Sequence, residues 1–326
     1  MGIINQLQQK RKVQRVASDC IGGIYMKDFN TQDNNDFTFE KADKELFAVY
    51  QTIYSNSDIE LWYDWKARLN DTMWSDKCYF MMKDGEKIGG AILDNGNISF
   101  PFLILPYSDK KEFFKQLHKK AYEITNTGAI STSGILKDDI PYLLSTGYQV
   151  LRTRKAMIRP TDIYNVVLGD FTLKIPAVDD AGEISKVFYE AYLGGIDYEI
   201  YGTPTMDENT QDVLENLKLF AGCNTTEQSC IIYDNNKPVA ACLIGGNPAV
   251  PNGFSGISDI GVIPGYRKRG LAAAMIRRAL TIAKQKNNVQ AMRLFVTEGN
   301  PAERLYSKLG FMPGPSFSPM LFKVEA

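Results

Sequence analysis

Three consecutive cations and a glycine, Arg267-Lys268-Arg269-Gly270, stand between a β-branched run and a helical repeat. Ile257 to Ile263 reads as a strand, and Pro264-Gly265 breaks it. A helix opens near Gly270 and lines up Leu271, Met275, Ala279 and Ile282 on one face. A strand-to-helix turn of this kind aims unpaired N–H groups at one point, with the positive end of the helix dipole behind them. That arrangement suits a phosphate or diphosphate. Gly270 lets the backbone approach closely, and Ala272 keeps the next turn free of bulk. Taken alone, the same residues also describe a basic turn on a solvated surface. Downstream, Asn300 to Phe311 offers a second reactive side chain, the phenol of Tyr306, on a short helical stretch closed by Gly310-Phe311.

Arg267-x-x-Gly270-x-Ala272, preceded by Val262-x-Pro264, resembles the coenzyme A pyrophosphate loop of the GCN5-related N-acetyltransferases (GNAT). The stretch Asn300-Pro301-Ala302-Glu303-Arg304-Leu305-Tyr306-Ser307-Lys308-Leu309-Gly310-Phe311 is similar to that family's second signature, and the resemblance covers residues 171–326. It implies acetyl-CoA as the acyl donor, with the diphosphate on Arg267, Lys268, Arg269, Gly270, Leu271, Ala272 and Ala273. It also implies that the strand bearing Ile260, Gly261 and Val262 splays from its neighbour, freeing N–H groups for the pantetheine arm and the thioester oxygen. Gly261 suits that irregularity.

Acetyl transfer to an amine needs a neutral nucleophile, a stabilised oxyanion and a protonated leaving thiolate. The resemblance gives Tyr306 the last task, as general acid. The base is open among Asp259, the nearest carboxylate on the bordering strand, Glu298, Glu199 and an ordered water chain. Alternation along the strand leaves the direction of Asp259 open. Gly299 stands where the family often carries asparagine, so Asn300 lies one place late for its contact to the pantetheine arm.

These residues need a scaffold, and from Phe37 onward the chain says the same thing twice. Phe37-Thr38 is echoed by Phe171-Thr172, and the hairpin around Asp84 by the one around Asp234. Leu103 to Pro106 parallels Gly261 to Pro264, and Gly147-Tyr148 parallels Gly310-Phe311. The offset only rises along the chain, from 134 to 163 residues, as duplication with small insertions would give. The expected organisation is a polar segment at 1–36 with a short helix over Ile3 to Val16, then domains at 37–160 and 161–326. Each domain reads as α/β (α+β mixed), a twisted mixed sheet flanked by helices, and together they make two tandem acetyltransferase folds. Ala291 to Val296 and Met320 to Val324 are expected to supply the late strands of the second.

The first domain is expected to be degenerate. At the offset of the preceding strand, Asp109, Glu112 and Phe114 fall opposite Arg267, Gly270 and Ala272; at that of the glycine–aromatic pair, Leu143 falls opposite Tyr306. Two carboxylates and a ring would repel and block a diphosphate. The second domain carries extra residues around Gly194 to Gly202 and Met206 to Phe220. There Asp197, Tyr198, Glu199 and Tyr201 make either an acidic, aromatic mouth for a cationic amine or an ordinary solvated loop.

Composition narrows the field. The chain has 326 residues, net charge −1 and 44% hydrophobic content, which fits a soluble two-domain protein. No apolar run is long enough for a membrane span, and no basic stripe with interleaved aromatics supports nucleic-acid binding. Arg277, Arg278, Lys284 and Lys286 read as a solvated helix face or as a contact for a 3′-phosphate. Five scattered cysteines fit reduced thiols in a cytoplasmic protein and give no metal pattern. The single histidine, His118, reads as a solvated helix residue, which leaves little material for histidine-based catalysis. The reading is an N-acetyltransferase moving an acetyl group from acetyl-CoA to a primary amine of a small molecule or peptide. A non-catalytic acyl-CoA-binding sensor or interaction module, or a transferase using another acyl-CoA, would carry the same loop.

Overall fold

The computed structural model describes residues 36–55, 76–126, 128–223, 225–246 and 254–324. The helix expected over Ile3 to Val16 lies outside the described residues. The described residues form two compact units, one within Arg154–Gly314 and one of those from 36 to 153 together with 315–324.

The first unit runs β1 (Phe37–Lys41), α1 (Lys44–Tyr54), β2 (Cys78–Lys83), β3 (Glu86–Asp94), β4 (Asn97–Leu103), α2 (Lys110–Ile124), β5 (Ala129–Ser133), β6 (Ile135–Leu136), α3 (Ile140–Leu144) and β7 (Gln149–Val150). The second runs β8 (Arg154–Pro160), β9 (Thr172–Lys174), α4 (Ala181–Tyr192), α5 (Ile196–Tyr201), α6 (Met206–Ala221), β10 (Cys230–Asp234), β11 (Lys237–Gly245), β12 (Ser255–Val262), α7 (Leu271–Gln285), β13 (Ala291–Thr297) and α8 (Glu303–Lys308). Two strands follow, β14 (Met312–Ser318) and β15 (Met320–Lys323).

The two sheets share a plan. Strands run β1-β2-β3-β4-β5 in the first unit and β9-β10-β11-β12-β13 in the second. Tight turns with two successive positive φ angles join β2 to β3 (Asp84, Gly85) and β10 to β11 (Asn235, Asn236), as hairpin twist requires. Both hairpins shift register two residues before the turn, at Met81/Met82 and Ile232/Tyr233. β4 pairs with β5, and β12 with β13, in parallel. The strand β11 is buried continuously from Val239 to Gly245, so both faces of the sheet are covered. α4 and α7 pack on β11 and β12, burying Ile184, Val187 and Phe188 from one helix and Met275, Ile276, Ala279 and Leu280 from the other.

Three expectations need correction. Met320 to Val324 was expected in the second sheet, but β15 pairs with β5 and β7 and completes the first. Reciprocally, β8 lies before the expected boundary and pairs antiparallel with β13 along its whole length in the second sheet. After each glycine–aromatic pair a first strand, β7 or β14, stays with its own sheet, and the second, β8 or β15, joins the sheet of the other repeat. A fragment starting at residue 161 would lack β8, and with it the fully buried Met157.

His118 is buried, not solvated. Its Nδ1 lies 3.1 Å from the Tyr148 hydroxyl and its ring packs edge-on to Phe322 at 4.6 Å. Burial pushes its pKa below the ordinary histidine value.

The third correction concerns the loop that carries the cations. Buried Phe113, Phe114, Leu117 and Ala121 of α2 match Met275, Ile276, Ala279 and Ala283 of α7 at an offset of 162, not 158. The second unit is four residues longer between the matched strand and the matched helix face, in the loop that carries Arg267 to Gly270. Asp109, Glu112 and Phe114 are thus not their counterparts; Phe114 is a core ring stacked on Tyr142. Leu143 does match Tyr306. Tyr148 N–H donates to Leu143 C=O as Phe311 N–H donates to Tyr306 C=O, after glycines with φ 92° and 85°.

Candidate active site

β12 and β13 pair at Ser255/Met292, Gly256/Arg293 and Ile257/Leu294, and the pairing ends there. Beyond that point β12 stays with β11 as far as Val262, while β13 stays with β8 as far as Thr297. The two central strands fork. Ile263 N–H donates to Val239 C=O on β11, so alternation turns the Val262 N–H and C=O toward the fork. The shift of register opposite Leu243/Ile244 marks where β12 bends away.

Gly261 serves packing, which differs from the role expected of it. A Cβ there would lie 2.9 Å from both Ala191 and Phe188, so only glycine lets α4 sit this close to β12. Asp259, two residues earlier, shares that face. Its Oδ2 accepts from the Ser258 hydroxyl at 3.1 Å.

At the end of β12 the chain makes one 3₁₀ turn, Pro264–Tyr266, and then the cationic loop. Gly270 has φ 82° and precedes α7 without any side-chain cap. The first helical bond is Ala274 N–H to Gly270 C=O, which leaves the N–H groups of Leu271, Ala272 and Ala273 at the open end of the helix. Nothing lies within 4 Å of where a Gly270 Cβ would stand, and Gly270 itself is exposed. Leu271 itself is a core side chain and offers only its backbone, whereas Ala272 and Ala273 are half-buried.

The three cations are exposed but not equivalent. Arg267 Nη2 donates to Ala191 C=O at 2.8 Å and its Nε to Val262 C=O at 3.3 Å, so it ties the loop to α4 and β12. Arg269 lies 4.7 Å over the Tyr266 ring, and the Tyr266 hydroxyl donates to Asp234 at 2.9 Å. Lys268, at φ 63°, is the apex of the turn.

Tyr306 enters the second unit's core from α8 and is only 7% exposed. Burial above all, then Cys242, Asp197 and Asp259, push its phenol far above the ordinary range, against a smaller opposite effect of Arg154. It therefore holds its proton at neutral pH. Asn300 does not reach out: its Oδ1 accepts from Ala302 N–H at 2.9 Å and closes the turn into α8.

From the acidic, aromatic stretch, Asp197 and Tyr198 turn inward. Asp197 Oδ1 accepts from the Thr297 hydroxyl at 2.6 Å, at the end of β13. The Tyr198 hydroxyl is buried without a hydrogen-bond partner, and its ring stands edge-on to Tyr192 at 5.9 Å. Burial first, and Asp259 next, push its phenol up. Glu199 and Glu298 are exposed. The Tyr201 side chain lies outside the described residues. Of the basic helix face, Arg278 is committed to the carbonyls of Glu227, Gln228 and Ser229, and Lys286 to the Glu227 carboxylate at 2.5 Å.

One residue was missed. The Tyr192 hydroxyl accepts from Ile260 N–H at 3.1 Å and donates to Ile260 C=O at 3.2 Å. Its partner is backbone, which carries no residue-type signal; only the helical spacing of Tyr189 and Tyr192 hinted at an inward aromatic face. Among the described residues no group of His, Cys, Asp or Glu is placed to hold a metal ion. No described helix is long and apolar enough to cross a membrane.

The acetyltransferase (GNAT) family profile matches residues 193–311. A GCN5-related N-acetyltransferase from Sphaerobacter thermophilus has a similar structure, with TM-score 0.58 and 13% identity over 90% of this chain and 97% of that one. So does a tandem GNAT protein from the clavulanic acid biosynthesis pathway, with TM-score 0.52 and 11% identity over 89% and 99%. A glucosamine N-acetyltransferase region of a fungal multi-domain GH3 β-N-acetylglucosaminidase gives TM-score 0.55 and 13% identity over 88% of this chain and 38% of that one. At such identities the likeness establishes the fold. No match was found among curated proteins.

Proposed function

Because residues 193–311 form a domain of the acetyltransferase (GNAT) family, we propose that the unit Arg154–Gly314 moves an acetyl group from acetyl-CoA to a primary amine of a small molecule or peptide. The observation that carries this reading is the uncapped start of α7 behind Gly270, in the loop that follows the forked strand β12. Residues there fit the group. The amides of Leu271, Ala272 and Ala273 form the uncapped helix end that a diphosphate would meet, and the exposed Lys268 in the preceding loop supplies a cation. Arg267 contributes by holding the loop shape, since its donors already serve backbone carbonyls.

Acetyl-CoA supplies the activated acyl group; everything else falls to this chain. The Val262 N–H and C=O line the fork for the pantetheine arm, and the Ile260 N–H is the donor for the acyl oxygen. Tyr306 holds the proton that the leaving sulfur needs. Asp259 lies on the α4 face, where its charge reaches Tyr192, Tyr198 and Tyr306, and it is our candidate for taking the ammonium proton. Asp197 and Tyr198 complete a pocket wall of negative charge and aromatic surface suited to a cationic amine. The first unit's corresponding loop is four residues shorter, and we assign it no coenzyme A site. A cytoplasmic setting, read from the unpatterned cysteines, belongs to the same proposal.

Titration calorimetry of the full chain with acetyl-CoA, followed by an amine screen that follows thiol release, tests this directly. One site per chain and acceptor-dependent thiol release are expected. Binding without release for any amine would make the unit an acyl-CoA sensor, and two sites per chain would overturn the assignment of the first unit.

A further inference from the structure

The Tyr192 hydroxyl occupies a position that the proposed reaction needs empty. In a regular sheet a neighbouring strand would satisfy the N–H and C=O of Ile260; here one side chain from α4 satisfies both, on the side from which β13 has withdrawn. A buried amide left unpaired costs free energy, so the fork is more stable with this hydroxyl in place. The ring is held by stacking on Phe188 at 5.7 Å and by the edge contact to Tyr198. Burial above all, with Asp259 and Tyr306 nearby, keeps the phenol protonated, and so able to donate as well as accept.

We infer that Tyr192 is an internal ligand of the acyl-oxygen subsite: in the free protein its hydroxyl holds the Ile260 N–H, and the carbonyl of a thioester displaces it. The inference rests on the proposed function, in which Ile260 is the donor to that carbonyl. Its consequence is a difference between two ligands. Acetyl-CoA carries the competing carbonyl and coenzyme A does not, so the plug discriminates against the acylated form alone. A tyrosine that merely pins β12 would have the opposite effect on removal, weakening both.

The test is Tyr192→Phe in the full chain, which keeps the ring and its stacking. Calorimetry should show acetyl-CoA binding about two- to tenfold tighter, the worth of one neutral hydrogen bond, and coenzyme A binding unchanged. Amide hydrogen exchange at Ile260 in the free protein should be faster in the variant. Equal or weaker acetyl-CoA binding, or unaltered Ile260 exchange, overturns this inference while leaving the proposed function standing. A wild-type chain that binds neither ligand overturns the proposed function and this inference with it.

Discussion

Two helices begin after matching strands, and only one of them presents an open end. In the first unit α2 is capped by Asp109, whose carboxylate accepts from Glu112 N–H at 3.0 Å. In the second, α7 starts after Gly270 with no side-chain cap. A carboxylate at a helix N-terminus does chemically what a bound phosphate would do: it accepts from the orphan N–H groups and offsets the dipole. The first helix is therefore complete by itself, and the second leaves its first N–H groups without a side-chain acceptor. The change is an insertion of four residues, which moves the helix start away from the strand and puts a glycine at the cap. In the first unit the cap carboxylate itself fills the place that an anion could take at the second.

The comparison extends to the chemistry. Leu143 and Tyr306 occupy the same place ahead of their glycine–aromatic pairs, so the first unit has packing where the second has a phenol. Tyr306→Phe makes the second resemble the first in this one respect. Removing a general acid typically costs about 10²–10⁴-fold, so kcat should fall by that order while acetyl-CoA affinity holds. Steady-state kinetics with an identified acceptor would reveal it; a wild-type kcat would make Tyr306 a structural residue like its counterpart.

Gly270→Glu would imitate the acidic cap of α2 at the open helix. Loss of charge-assisted contacts to a diphosphate is worth roughly 2–4 kcal/mol, about 30- to 1000-fold in affinity. The φ of 82° adds strain for any side chain, so Gly270→Ala serves as the control that carries strain without charge. Calorimetry on the two variants separates the effects. If both bind acetyl-CoA as the native chain does, the open helix end is not the diphosphate site.

The smallest expected effect lies in the core. His118 in α2 falls where α7 has Leu280. Its folded pKa is depressed, so the unfolded chain takes up the proton first as pH falls below about 6.5. This contribution to stability is fully present above that value and is lost progressively as pH falls toward the folded pKa. Urea unfolding between pH 7.5 and 5 should show the slope in the native chain, and His118→Leu should flatten it. An unchanged slope in that variant would place the pH dependence elsewhere.

Local signals in the chain reached far. The strand-break-helix pattern around Pro264 and Gly270, the asparagine and glycine turns of the hairpins, and the paired Gly-aromatic motifs all have short-range causes. Steric limits on φ and side-chain period act within a few residues, so they are written where they operate. The duplication was legible for the same reason. Three things were decided only by the tertiary structure. The exchange of β8 and β15 depends on which sheet edge each strand meets, and backbone hydrogen bonds leave no mark on residue type. The place of the four-residue insertion emerged only when the buried faces of α2 and α7 were aligned. The pairing of Tyr192 with Ile260 joins a side chain to a distant peptide group exposed by the fork. A position can specify its own conformation, but what it finds opposite belongs to the packed whole.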